Sequence, residues 1–280
     1  MTLLTDKRRL GALPLVPVLF SWACTNNAQA ACEQVLPGAQ QQQKLQTVLL
    51  AGTGLITLWG VANWDYFSRV PHAQSEGWFG QHTNEGGADK LGHLYSVYAA
   101  SQGLGYLYEQ WCFTPGDAAL YGALSAFAVF GYMEVGDSFS DFGFSYEDVI
   151  ANGVGSTASY YLSIYPELAE KIDIRWEYGV KPQQADFITD YQNSKFLVAL
   201  KLSGFDAFKQ GVLKYGELHL GYLARGYSDP TQINERSLYL GVGLSLSELF
   251  RQTGHHKTAT LFNYYQAPGT YITTEKQLSD

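Results

Sequence analysis

The chain has 280 residues, enough for one large domain or two modest ones and for a substantial buried core. Hydrophobic residues make up 46% and charged residues only 16%, below the roughly 25% of ordinary soluble domains, while 20 Tyr, 15 Phe and 6 Trp suit a boundary between apolar and polar surroundings. The net charge of −8, without a clustered basic face, argues against a nucleic-acid partner.

Residues 1–30 read as a targeting segment. Lys7, Arg8 and Arg9 give a basic start, Leu10–Cys24 is mostly apolar, and Ala28-Gln29-Ala30 supplies a small-x-small cleavage pattern with Ala31 as the mature N-terminus. The apolar run is too short for a comfortable membrane span. A lipid-attachment site would need a Cys after Leu-small-small. Cys24 follows Ser21-Trp22-Ala23 and Cys32 follows Gln29-Ala30-Ala31, so ordinary export is expected rather than lipidation. Export places the protein in the cell envelope, on the periplasmic side. Cys32 and Cys112 can pair in such an oxidising compartment, although their separation along the chain does not decide it.

Residues 31–44, with Pro37-Gly38 and the run Gln40–Gln43, predict a flexible leader. A continuous apolar stretch from Leu45 to Phe67 predicts a helix, and residues 68–88, punctuated by Pro71, Gly77, Gly80, Gly86 and Gly87, predict a long loop. Three more helices follow over 89–111, 117–135 and 145–164, the last opened by the capping pair Ser145 and Asp148. Their Gly and Ala spacing permits close helix contact, in a water-soluble bundle as well as in lipid. Past a soft boundary near residue 170 the pattern changes. Residues 172–178, 195–202, 217–225 and 237–246 are β-type, and in the last Leu238, Leu240, Val242, Leu244 and Leu246 fall on one strand face. Residues 247–252 predict a short helix. The expected fold class is therefore α+β, with a bundle of about four helices over 45–170 and a small antiparallel β unit of three or four strands over 171–280.

Three clusters in the helical half could carry chemistry. Asp89 and His93 lie one helical turn apart, so the carboxylate can orient the imidazole, with Lys90 between them. Glu134 and Asp137 end the most apolar helix, where carboxylates are costly unless paired, hydrated or at a terminus. Asp148 and Asn152 share a face above Ser145, and Gly155 leaves room there for a neighbour. Each has a plainer reading: Asp89 and Ser145 as caps, Lys90 at the surface, His93 satisfied in the core, Glu134 and Asp137 at a wet helix end. Their joint occurrence inside oily segments makes a shared interior centre the sharper expectation.

The order GADKLGH (87–93), EVGD (134–137) and GFSYEDVIANGVGS (143–156) resembles the YfiM-like family of periplasmic lipoproteins, whose function is unknown. More distantly it is similar to VanZ-like membrane proteins, which show D-K-x-x-H, a later Glu and D-x-x-x-N-x-x-G in the same order. The resemblance implies envelope location and helical packing and supplies no mechanism; the absent lipid-attachment pattern is a departure from it. Three functions stay open. The first is a non-enzymatic structural or binding protein associated with the outer or inner membrane, whose polar cluster holds the bundle together. The second is an enzyme acting on an envelope lipid or polyprenyl carrier, with His93 as acid or base, Asp89 orienting it, Lys90 on an anionic head group, and Glu134, Asp137 and Asp148 binding a divalent ion or polarising water. The third is a ligand- or metal-binding module without turnover, whose single His among carboxylates suits a hard or borderline cation. Membrane or envelope lipid is the expected partner, protein partners are undefined, and no cofactor is expected, with a divalent metal left open. The chain contains no Walker loop, Rossmann fingerprint, H-E-x-x-H or G-x-S-x-G.

Overall fold

A computed structural model describes residues 32, 34–179, 189–228 and 231–279. The expected signal segment 1–30 and its cleavage point at Ala31 lie outside the described residues. The helical half comprises α1 (Gly38–Asn63), α2 (Ala88–Gln110), α3 (Pro115–Asp137), α4 (Tyr146–Ile164) and the single turn α5 (Pro166–Ala169). The sheet half comprises β1 (Ile172–Tyr178), β2 (Ser194–Lys201), β3 (Gly216–Arg225), β4 (Glu235–Leu244) and β5 (Tyr271–Gln277), with α6 (Leu246–Gln252) and α7 (His256–Leu261) between β4 and β5. The α+β architecture matches the sequence pattern.

Two boundaries differ from expectation. The glutamine run is not a flexible leader: Gln40–Gln43 lie in the first turns of α1, whose start is tied back by Leu36 N–H donating to Cys112 O at 2.9 Å and by the Cys32–Cys112 disulfide. The sheet has five strands rather than three or four, in the order β1-β2-β3-β4-β5, antiparallel throughout. Strand β5, YITTEKQ, is a largely exposed edge with few aliphatic residues, so period-two hydrophobicity does not reveal it.

Helix α2 is the centre of the molecule. It packs on α3 and α4 and reaches β1, β2 and β3, while α1 leans on α3. Small residues permit the approach: a Cβ on Gly155 of α4 would stand 2.1 Å from the Leu94 carbonyl oxygen of α2. Aromatic rings then fill the seam between bundle and sheet, where Tyr95, Tyr98, Leu162 and Phe196 form a buried cluster flanked by Trp176 and Tyr264. Tyr95 donates from its hydroxyl to Tyr264 O at 2.8 Å.

The two sides of the sheet contradict the usual oil-in, water-out assignment. Asp173, Arg175 and Glu177 alternate along β1 and are buried, together with Lys201 of β2 and Glu217 and His219 of β3. Arg175 is their hub, donating to Glu217 Oε1 at 2.7 Å, to Asp173 Oδ2 at 2.6 Å and to Gln266 Oε1 at 2.8 Å. The aliphatic set on β4 points outward: Leu240 is 61% exposed and Val242 57%. The strand period was legible, but which face would be enclosed was not.

Because the α2–α4 contact is backbone against backbone, substitution of Gly155 by Ala overpacks it, at a cost of about 1–3 kcal/mol. The expected result is a lower unfolding midpoint for Gly155→Ala, whereas Gly103→Ala, in the same kind of helical setting but with nothing near the added carbon, should raise it. Equal midpoints in a thermal melt would show that the contact is looser than described.

Candidate functional site: a buried ionic centre

Three helix ends and one loop build the centre. The loop that connects α1 to α2 closes on Gly86 and Gly87, both with positive φ (63° and 84°), and delivers Ala88 into the first turn of α2. Asp89, Lys90 and His93 follow within that turn and the next. Helix α3 contributes Glu134 near its C-terminus. Helix α4 opens on Ser145, whose hydroxyl accepts from Asp148 N–H at 3.3 Å, so Asp148 and Asn152 project from its first two turns.

Lys90 is 2% exposed and its ammonium contacts three carboxylates: Glu76 Oε2 at 2.5 Å, Asp89 Oδ2 at 2.6 Å and Asp148 Oδ1 at 2.7 Å. This overturns both sequence expectations for Lys90, as a surface residue and as a head-group contact: it is enclosed and already neutralised. A long cation taken from water needs such partners, because an unpaired buried ammonium is very costly.

His93 lies one turn along α2 from these carboxylates. Its Nδ1 is 3.2 Å from Asn152 Oδ1 and 3.5 Å from Glu134 Oε1, and its Nε2 is 3.8 Å from Asp148 Oδ1. The expected orienting pair, Asp89 with His93, is corrected here. Asp89 is engaged by the neighbouring ammonium, and the amide oxygen of Asn152 stands at the imidazole instead. Glu134 Oε1 and Asn152 Nδ2 are buried without a hydrogen-bond partner. Asp137 sits at the edge of this group, near enough to Glu134 and Asp148 for the charges to act on one another. It borders the Tyr66 hydroxyl, which donates to Met133 O at 3.0 Å, and its own backbone carbonyl accepts from Ser140 and Gly143 N–H.

Sequence patterns missed the loop's contribution. Glu76 and Glu85 come from a segment without periodicity, and Glu147 was hidden inside the capping signature. Glu147 is fully buried and anchors that loop, accepting from Ser75 Oγ and from Gly77 N–H at 3.2 Å. The paired glycines before α2 were the one available hint that this loop must turn tightly onto the bundle. In the sheet, the alternation of Asp173, Arg175 and Glu177 was a legible sign of a charged strand face that went unread.

The surroundings shift the acids in opposite directions. Burial pushes Glu76 up to about 7, against the pull of Lys90, with Asp148 adding to the rise. Burial, with Asp89 and Asp190 nearby, also pushes Glu85 up to about 7. For Asp148, burial is outweighed by His93 and Lys90, and its carboxyl is held below the usual range. Burial likewise acts against the charged form of Lys90, but Asp89, Asp148 and Glu76 prevail and hold it above an ordinary lysine.

Residues 75–164 match the family model described as predicted periplasmic lipoprotein (DUF2279). The match takes in every residue of the centre, from Glu76 to Asn152, and stops where α4 ends. It agrees with the cell-envelope, periplasmic-side location expected from the sequence. No curated protein and no solved structure matches the chain. Among the described residues Cys32 is joined to Cys112, so its sulfur is not free to carry a lipid.

The raised acids make stability depend on pH. Glu85 has a folded value of about 7 against 4.5 for a free side chain, so the folded state holds its proton longer than the unfolded state. Its contribution is full below about 4.5, is lost as pH rises toward about 7, and stays lost above that. Glu85→Gln removes the buried charge; it should melt with wild type at pH 4.5 and above it at pH 8. A midpoint difference that stays constant between those pH values would refute the assignment.

Proposed function

We propose that this is a lipid-seated envelope protein of structural or binding character, held in a membrane by its apolar outer surfaces and braced internally by the ionic centre. The inverted sheet carries this reading. One face is charged and buried, while on the other, beyond Trp176, Phe196 and Tyr222 where the bundle covers it, Val198, Leu218, Leu220, Leu238, Leu240, Val242, Leu244 and Ile272 are exposed across four neighbouring strands. In water each such side chain forgoes part of the roughly 1.5–3 kcal/mol that full burial supplies. Apolar-out, polar-in is the arrangement of strands whose outer solvent is lipid.

The helices support the same placement. Leu50, Leu55, Leu58 and Val61 of α1 are exposed, as are Leu120, Leu124 and Val135 of α3 and Ile150 and Val154 of α4. Both α1 and α3 are long and apolar enough to cross a membrane, and only 6% of the most apolar window of α1 is buried within the protein. Tyr146, Tyr161 and Tyr165, all exposed, have the oily body and polar tip favoured at a lipid–water boundary.

A net charge of −8 gives no attraction to anionic head groups, so retention must come from apolar area. The full chain should therefore stay with the membrane pellet through a high-salt wash and leave it in detergent. Leu240→Lys combined with Val242→Lys should weaken retention, read as the fraction released by carbonate, without lowering the melting midpoint of the detergent-extracted protein. Recovery of wild type as a monodisperse, detergent-free monomer would overturn the reading.

A further inference from the structure

We infer that His93, Glu134 and Asp148 form a binding site for one divalent cation of the Zn²⁺ or Mn²⁺ type. One ligand atom from each lies within 4.8 Å of the others, and the three side chains come from three different helices, α2, α3 and α4. The second observation is Glu134 itself. It is 1% exposed, its Oε1 accepts no hydrogen bond, and that oxygen stands 3.5 Å from His93 Nδ1, facing into the group.

Charge points the same way. The Lys90 ammonium is committed to Glu76, Asp89 and Asp148, which already outnumber it. Glu134 adds a further buried carboxylate beside a histidine that can serve as a ligand. A dication beside Asp148 takes the place of the proton that burial favours on Glu134 and gives its unpartnered oxygen a bond. A second acidic group, Glu76, Asp89 and Asp148, has similar spacing, but the ammonium sits among those oxygens, so the cation belongs to the His93 side.

The ligand set selects the metal class. One imidazole nitrogen with two carboxylate oxygens suits a borderline cation better than Ca²⁺, which prefers six to eight oxygens. With Nδ1–H donating to Asn152 Oδ1 at 3.2 Å, Nε2 is the ligand nitrogen on the side of Asp148, and Glu134 Oε1 moves from beside Nδ1 to reach the ion. Ligand bonds of about 2.0–2.2 Å would draw the three atoms together by roughly 1 Å, cinching the helix ends. The His93 side chain is 17% exposed, which leaves a way in for the ion.

The inference is independent of the lipid seat, because the metal is titrated into detergent-held protein without lipid. The exposed pair His255 and His256 is first replaced by Ala to remove a competing imidazole site. Chelator-treated full chain is then titrated with Zn²⁺ and with Mn²⁺ in a calorimeter. One equivalent should bind, and Glu134→Gln should weaken it at least tenfold while the far-ultraviolet dichroism is unchanged. Bound Mn²⁺ should show electron spin-echo modulation from a single imidazole nitrogen, a readout that needs no further variant. Absence of binding by either ion, or bound Mn²⁺ without that nitrogen coupling, would overturn the site.

Discussion

The enclosure of the Lys90 ammonium by three carboxylates is the constraint on which the bundle's architecture depends. Glu76 belongs to the loop before α2, Asp89 to α2 and Asp148 to α4, so one cation ties the first turn of α2 to its own leading loop and to a helix 58 residues away. Buried ion pairs are weak contributors to net stability, because desolvation offsets much of their attraction, but they penalise any packing that separates the partners. The backbone contact at Gly155 brings α4 close enough to α2 for Asp148 to reach the ammonium. The loop is held down by Glu147 through Ser75 and Gly77. Without these two supports Lys90 would need water, and the first turns of α2 could not remain enclosed.

The sheet repeats the same solution with a different hub. Arg175 is to the strands what Lys90 is to the helices: a buried cation shared among acids from separate segments, here Asp173 on its own strand and Glu217 two strands away. A guanidinium suits this position because its planar fork can serve two carboxylates and the Gln266 amide oxygen at once. Tyr239 and His219 fit against the same face because Gly221 and Gly243 stand opposite their rings, where a Cβ would come within 2.2 Å and 2.7 Å respectively. Both halves of the chain thus enclose charge and display hydrocarbon, which is why a single environment can suit α1, α3, α4 and the outer sheet together.

Much of this was legible in the residues, and the parts that were not have physical causes. Helix and strand periods depend on local repetition, so the spans of α2, α3, α4 and β1 to β4 could be read directly. Sidedness is a different matter. The alternation Leu238, Leu240, Val242, Leu244 defines a face, but whether that face turns inward depends on what Asp173, Arg175 and Glu217 require of the other one. The candidate residues His93, Glu134, Asp148 and Asn152 stood out because polar groups in oily helices are conspicuous. Their pairing could not be read, since the i, i+4 relation between Asp89 and His93 is only one of several contacts open to Asp89. Lys90, its chain neighbour, took it. Glu76 escaped because a loop has no period against which a carboxylate looks out of place.

The two halves are joined at the loop that supplies Glu76. Tyr222 of β3 donates to Gly86 O, Arg236 of β4 donates to Phe79 O, and Gln81 Nε2 donates to Asn234 O at 3.2 Å, just ahead of β4. These contacts bracket the stretch between Glu76 and Asp89, so the strands hold the outer wall of the Lys90 enclosure in place. The stretch that matches the family model, 75–164, contains the centre but not these strand residues. The helical centre therefore relies on sheet residues from outside that stretch to fix its loop.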